Sequence, residues 1–400
     1  MHYNVTPKRL LAGLVGVPLL LVVWSLSPLV TVRIGRLRSE RIGHYLLNTE
    51  LSLCETEASQ NIRHKPVFDI WFDVPPVSNS QVANMWSRVI RIWPRWLLQP
   101  CYFLLRGLGA ESHLIESPSE DRDIHDRLRN SPIHLNFLQS EEEECLETLR
   151  GLTGRNQLRW VCLHQRDGAY LRSALPNRDW SYHNYRDTPI EDYVLAAEAL
   201  ADLGYWVFRM GKTTEEPLPL SHPRVVDYAN SDERSDLLDV FLGARCEFFI
   251  SSGSGIDATA AAFRRPQLYV NYALPFHTLT WRPDHLFIYQ HFADEETGEA
   301  LDLRELWCRL GPTVPTTQLL GEHGILMTRN SPSEIREVAL EMHQRIAGGA
   351  TPLEHGERHQ KAFWANFPRV PELHGSTPFR ARIGEDFLYR NPHLRAAPME

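Results

Sequence analysis

The spacing of apolar and polar positions divides the chain into three regimes. The first is the run from Leu10 to Val32, LLAGLVGVPLLLVVWSLSPLVTV, which carries no charge and is long enough to cross a bilayer, a task for about 20 apolar residues. A membrane anchor, a cleaved signal peptide and a buried strand or helix of the first domain all fit such a run. Cleavage is disfavoured, because no small-x-small site follows and Pro28 stands where one belongs. Leu29 to Ile34 has strand character and belongs to the fold, which leaves Leu10 to Ser27 for the membrane.

The second regime mixes periods. A basic, glycine-containing loop (Gly35, Arg36, Arg38, Arg41) leads into a helix from about Ile42, and Val67 to Phe72 reads as a strand ending in the loop DVPPVSNSQ. Met85 to Leu108 interleaves Trp86, Trp93 and Trp96 with Arg88, Arg91, Arg95 and Arg106. That pattern suits the headgroup layer of a membrane, and equally a core-facing helix with snorkelling arginines. The acidic run at 141–144 starts a helix, and the turn cluster LTGRNQ at 152–157 is the predicted linker.

In the third regime short apolar runs alternate with helical periods. Strands are predicted at Leu158–Leu163, Tyr205–Met210, Val225–Tyr228, Glu247–Ile250 and Gln267–Val270, and helices at Ile190–Leu203, Ser235–Gly243 and Gly255–Phe263. The alternation implies a parallel, doubly wound sheet. The predicted boundaries are a membrane anchor over 1–28, a first α/β domain over 29–154, a second over 155–330, and a tail over 331–400 packing back across both.

Composition narrows the function classes. The chain has 400 residues, 43% hydrophobic and 23% charged, and a net charge of −8, which fits two globular domains and argues against a general nucleic-acid binder. The six cysteines form no CxxC, and Cys162 and Cys246 fall in or beside buried strands, as reduced core thiols do. Lys8 and Arg9 flank the apolar run on one side and Arg33, Arg36, Arg38 and Arg41 on the other, which places the body on the cytoplasmic side of an inner membrane.

Candidate chemistry collects at strand ends, where an open parallel sheet meets ligands. HQRDGAYL follows Leu163, RMGK follows Phe208, and SSGSG follows Ile250. Ser252, Gly253, Ser254 and Gly255 form a strand-to-helix turn that is a candidate phosphate cradle, although it matches neither GxGxxG nor the P-loop nor GxSxG. A Ser/Gly loop that merely caps a helix fits it too. Arg166, Arg209 and Lys212 are candidate cations for a diphosphate, and Asn271 and Tyr272 end the next strand. Asp257 either bonds a ribose hydroxyl or favours the helix start. On the first domain Arg41, Gly43, Asp73 and Asn79 form a candidate acceptor side. His44, Asp73, Asp167 and His183 are candidate general bases, among which the sequence makes no choice; Asp167 is equally an orienting partner for Arg166. The histidines show no HExxH-type spacing, and DRD at 121–123 lies in a polar, helical stretch, so no metal or other cofactor is expected.

The order RIGHYLLNTEL, SNSQ with MWSR, CLHQRDGAYL, HNYRDTPIEDY, FRMGK, VVDYAN, RSDLLDVFL, FFISSGSGIDA, RRPQLYVNY and RIGEDFL resembles a family of bacterial glycosyltransferases of the GT-B type, associated with surface-polysaccharide synthesis. The resemblance runs from about Val32 to Arg390. It implies two Rossmann-like domains facing across a cleft, a nucleotide-sugar donor and a glycan or lipid-linked acceptor. More remotely, HQRD is similar to the HxR element of fucosyltransferases, which implies that Arg166 holds the donor phosphate. The chain departs from that pattern in having SSGSG as its glycine-containing donor motif, which leaves the nucleotide open. Charge developing on the leaving diphosphate would then be met by Arg166, Arg209 and the helix start at Gly255 without metal. The competing classes are a non-catalytic nucleotide-binding protein of a polysaccharide assembly complex, and a hydrolase using Ser252 or Ser254, which the missing elbow pattern disfavours.

Overall fold

The computed structural model describes residues 7–59, 65–115, 121–174, 179–348 and 354–395. By contacts the chain forms two compact units, Met1–Asp123 with Arg127–Leu138, and Ile124–Asp126 with Gln139–Glu400.

In the first unit, α1 (Pro7–Leu26) leads into β1 (Thr31–Leu37), and α2 (Ile42–Ser59) connects it to β2 (Val67–Asp73). Then come α3 (Ser80–Val89), α4 (Arg95–Gly107), the two-residue β3 (Leu114–Ile115) and the short α5 (Arg127–Asn130). The sheet is parallel with order β2-β1-β3. The tryptophan/arginine stretch is broken into two helices, α4 starting directly after Pro94, which has no amide hydrogen to extend a helix backwards.

The expected free-standing anchor is corrected: described residues of α1 are part of this unit. Gly16, Leu20 and Val23 recur at helical spacing on a buried face, and a Cβ on Gly16 would stand 2.9 Å from the Cβ of Pro100 in α4. Leu20 and Val23 join Leu98, Cys101, Tyr102 and Leu105 of α4 in one apolar cluster, each contributing on the order of 2 kcal/mol by burial. Among the described residues no helix is long and apolar enough to cross a membrane. The side chains of Lys8 and Arg9, on which the orientation expectation rested, lie outside the described residues.

The second unit opens with α6 (Gln139–Thr153). It buries Cys145 and Leu149, and Glu142 pairs with Arg245 on the helix Asp236–Arg245 of the same unit. The division therefore falls at 138/139, ahead of the predicted linker at 152–157. The strands β4 (Trp160–His164), β5 (Trp206–Arg209), β6 (Val225–Val226), β7 (Phe248–Ser251), β8 (Gln267–Tyr272) and β9 (His285–Tyr289) follow. β10 (His291–Asp294) pairs antiparallel with β11 (Ile325–Thr328), and β12 (Arg382–Ile383) comes from the tail. The main sheet is parallel throughout, in the order β12-β9-β8-β7-β4-β5-β6. From β4 the chain winds outward through β5 and β6, then returns to β4's other side and winds the opposite way, so the order reverses between β4 and β7.

The predicted alternation is thus present, and shorter in its pieces. Gly255–Phe263 is a 3-10 turn, Gly255–Asp257, followed by the five-residue helix Ala258–Ala262. Tail residues Phe363, Phe367, Phe387 and Leu388 are buried in the same core cluster as Phe287 and Tyr289 of β9.

Candidate active site

The order reverses between β4 and β7, and the strands' C-terminal ends at such a reversal are the usual ligand position in an open parallel sheet. His164 at the end of β4 pairs with Ser251 at the end of β7. Beyond that pair the two segments are latched. The Ser252 amide donates to the His164 carbonyl at 3.3 Å, and the Arg166 amide donates to Ser252 Oγ at 2.8 Å. His164 Nδ1 lies 2.9 Å from the Met210 carbonyl, and the Met210 amide donates to the Leu163 carbonyl at 2.7 Å, so the end of β5 is drawn into the same edge. Burial lowers the His164 pKa, which keeps the ring neutral.

One guanidinium group bonds this turn, and that of Arg166, whose amide is latched to it, is held by the 183–187 segment. Arg186 Nη2 donates to the Gly253 carbonyl at 2.6 Å. Arg166, nearly buried, donates through Nη1 to the Asp187 carboxylate and to the His183 carbonyl at 3.1 Å. Burial, followed by the neighbouring Arg186, pulls the Arg166 pKa down against the attraction of Asp187, while burial raises that of Asp187 against Arg166. Both charges are therefore held at a desolvation cost that an added anion would redistribute. Gly253 has φ +85°, and a Cβ there would stand 3.1 Å from the Tyr272 ring, so both the turn's shape and its packing call for glycine.

The turn itself is largely self-satisfied. Ser251 Oγ donates to Asp257 Oδ2 at 2.7 Å and accepts from the Gly253 amide at 2.9 Å, and the Ser254 amide donates to Asp257 Oδ2 at 2.9 Å. Asp257 thus clamps the turn and closes a capping box with Ser254 at the helix start. Two amides expected to face a phosphate are already taken, and the helix beyond Gly255 is too short to add much dipole.

Other expected donor residues lie elsewhere. Arg209 is fully buried, donating to the Glu216 carbonyl at 2.6 Å and to Asp227 at 3.3 Å, so it organises the loop after β5 and faces no ligand surface. Asn271 is equally buried at φ +51°, exchanging hydrogen bonds with Asn330: each backbone amide donates to the other's side-chain oxygen at 2.6 Å. Lys212 lies 3.7 Å from Asp236. Asp167 is no partner of the Arg166 side chain; it caps its own loop, accepting from the Ala169 amide at 3.0 Å and the Glu215 amide at 3.2 Å. The His183 ring packs on Tyr182 with centroids 4.0 Å apart.

In the first unit the ends of β1 and β2 are tied by Ser39, whose Oγ donates to the Val74 carbonyl at 2.7 Å. Asp73 accepts from the Tyr45 hydroxyl at 2.8 Å, and its pKa is raised by burial in spite of hydrogen bonds from Tyr45 and Ser39. His44 Nδ1 is 3.2 Å from Asn48 Oδ1 and 3.6 Å from Asp121. Arg41 is exposed and Gly43 half-buried at the start of α2. Asn79 is the buried N-cap of α3, its side chain accepting from the Val82 amide at 2.9 Å.

No protein-family profile matches the sequence, and no curated protein does. Two solved structures are similar. One is the E. coli ADP-heptose LPS heptosyltransferase II, at 13% identity and a TM-score of 0.41 over 64% of this chain and 90% of that one. The other is a glycosyl transferase family 9 protein from Veillonella parvula DSM 2008, at 12% identity and a TM-score of 0.41 over 65% and 86%. Similarity of this size decides nothing about chemistry, which has to be read from the side chains.

Sequence reasoning passed over Asp187, the partner of Arg166, although a signal was present: the Arg-Asp pair at 166–167 is repeated at 186–187, and Arg166 is bonded to the aspartate of the second. The Asn271–Asn330 clamp had no signal, since its halves are 59 positions apart.

Proposed function

We propose that the chain is a glycosyltransferase that takes a sugar from a nucleoside-diphosphate donor and passes it to a glycan or lipid-linked acceptor. The observation that supports this reading is that the Arg186 side chain and the Arg166 amide both bond the Ser252–Gly253 turn, at the point where the order of the parallel sheet reverses. Two neighbouring guanidinium groups, one of them largely buried, suit a diphosphate, whose paired oxygens accept their forked donors. In the transfer, the acceptor oxygen bonds to the anomeric carbon as the bond from that carbon to phosphate oxygen breaks. The electron pair stays on the diphosphate, where Arg166 and Arg186 offset it, and the acceptor proton passes to a base.

Asp73 is kept as a candidate base, since burial raises its pKa and Tyr45 fixes its orientation. Asp167 is engaged in capping its loop. Transfer is proposed to need no metal at the phosphates, because the nearby carboxylates of Asp187, Asp227 and Asp257 are each engaged by arginine, amide or hydroxyl partners. The second reading, a nucleotide-binding protein without turnover, is favoured by the saturation of the turn by Asp257. Binding of UDP, GDP, CDP and dTDP and their sugars is to be measured by calorimetry, with Arg166→Ala and Asp73→Asn. Binding lost in the first variant, and turnover lost with binding kept in the second, supports transfer. Binding with no turnover in any protein leaves the second reading, and no binding at all removes both.

We further propose that the acceptor is met at an anionic bilayer surface. Leu14 and Leu21 of α1, and Trp96 and Phe103 of α4, are exposed at 71%, 56%, 67% and 49%. Exposed Arg88, Arg91, Arg95 and Arg106 surround the α4 residues in sequence. Apolar and indole groups beside cations are the chemistry of a helix lying in the headgroup layer.

A further inference from the structure

Away from the residues assigned to transfer, the first unit holds a cluster of side chains of three different ligand types. On α2, Glu50, Cys54 and Glu57 follow one another at four and three positions, which puts them on one face of the helix. His134, from the segment after α5, reaches that face: its Nδ1 lies 3.2 Å from Glu50 Oε1 and its Nε2 3.1 Å from Glu57 Oε1. One ligand atom each from Glu50, Cys54 and His134 lie within 4.8 Å of one another. Glu50 and Cys54 are fully buried, among Leu51, Leu128 and Leu47, while His134 and Glu57 retain 12% and 41% side-chain exposure and leave a way in from solvent.

We propose that Glu50, Cys54 and His134 form a binding site for a transition-metal dication of the zinc class, with Glu57 fixing the imidazole. A carboxylate, a thiolate and an imidazole are a borderline-soft set that suits Zn²⁺ and discriminates against Mg²⁺ and Ca²⁺. Bonds of about 2.0–2.3 Å around a tetrahedral ion place ligand atoms about 3.3–3.7 Å apart, so the cluster closes on an ion with shifts of about 1 Å. Nδ1 faces the Glu50 side and Nε2 the Glu57 side, where a second carboxylate of the kind that commonly holds ligating histidines in one tautomer stands. Ligation takes the thiolate and the neutral imidazole, so metal binding is coupled to proton release. The fourth position is open to water. The competing state of the same cluster is an imidazolium bridging two glutamates.

The site is invisible to motif spacing because His134 lies 80 positions beyond Cys54, and it stands independently of the transfer reading. The test uses the full chain, stripped with chelator and titrated with Co²⁺ and Zn²⁺. The expected result is one equivalent bound, a thiolate-to-cobalt band in the near ultraviolet, loss of that band in Cys54→Ser, and at least 10-fold weaker binding in His134→Gln. Zn²⁺ should also slow alkylation of Cys54 in the unmutated protein relative to Mg²⁺, a readout that needs no variant to fold. No bound equivalent and no protection of Cys54, or a cobalt spectrum unchanged in both variants, overturns the proposal and leaves the bridging imidazolium.

Discussion

Replacing Asp187 with asparagine tests the assignment of Arg166 most directly, because it separates folding from ligand binding. Arg166 and Asp187 have side-chain exposures of 10% and 24%, and removing one member of a fully buried pair costs about 3–5 kcal/mol. Here the Arg166 guanidinium keeps the His183 carbonyl, and partial exposure screens the pair, so the loss is scaled to about 2 kcal/mol. For a domain of this size that lowers the Tm by roughly 4–8 °C. Yet the freed guanidinium faces less competition from a carboxylate, so a nucleoside diphosphate should bind Asp187→Asn several-fold more tightly than it binds the unmutated protein. The assay is thermal unfolding with and without the nucleotide, combined with calorimetric affinity. The variant should melt lower alone and recover more of the deficit with ligand. Equal stability without ligand and equal or weaker affinity would refute the claim that Asp187 and the phosphate compete for one cation.

Gly253→Ala forces a Cβ into a left-handed position and toward Tyr272, and should cost about 1–2 kcal/mol, with weaker nucleotide binding, read by denaturant unfolding and calorimetry. Asp239 is buried beside Arg234, and burial raises its pKa to about 6 against the attraction of that arginine. A raised carboxyl binds its proton more tightly folded than unfolded, so its contribution is complete below about pH 4 and falls by on the order of 3 kcal/mol as pH rises to about 6. Asp239→Asn should flatten that part of the stability profile; an unchanged slope would count against it. Trp93→Ala with Trp96→Ala should lower co-sedimentation with anionic vesicles at least several-fold without changing nucleotide affinity, and equal sedimentation would remove the bilayer proposal.

The fold was legible where local pattern and final environment agree. Short Val/Ile/Phe-rich runs such as Trp160–His164 and Phe248–Ser251 are buried on both faces in a parallel sheet, so their composition announces them. Arg166 and the Ser252–Gly253 turn were legible for the same reason, since each directly follows such a run. The two-residue strands Leu114–Ile115 and Arg382–Ile383 carried no pattern of their own. Their pairing partners define them.

What the sequence determined by itself is the existence and type of the main strands and helices, and the strand ends at which polar groups gather, because backbone propensity and apolar period act over a few residues. The tertiary structure alone decided which polar groups serve which purpose. Arg209 and Asn271 look as exposed in the sequence as Arg166 does, but packing buries them completely in hydrogen-bond networks with Asp227 and Asn330. Arg166 took Asp187 as its partner over its neighbour Asp167 because the loop folds back 21 positions later. The apolar run at the N-terminus followed the same rule: its composition left anchor, strand and helix open, and the helix Arg95–Gly107 packed beside it decided which face is buried. Burial and partner choice depend on contacts between residues distant in the chain, and no local pattern encodes them.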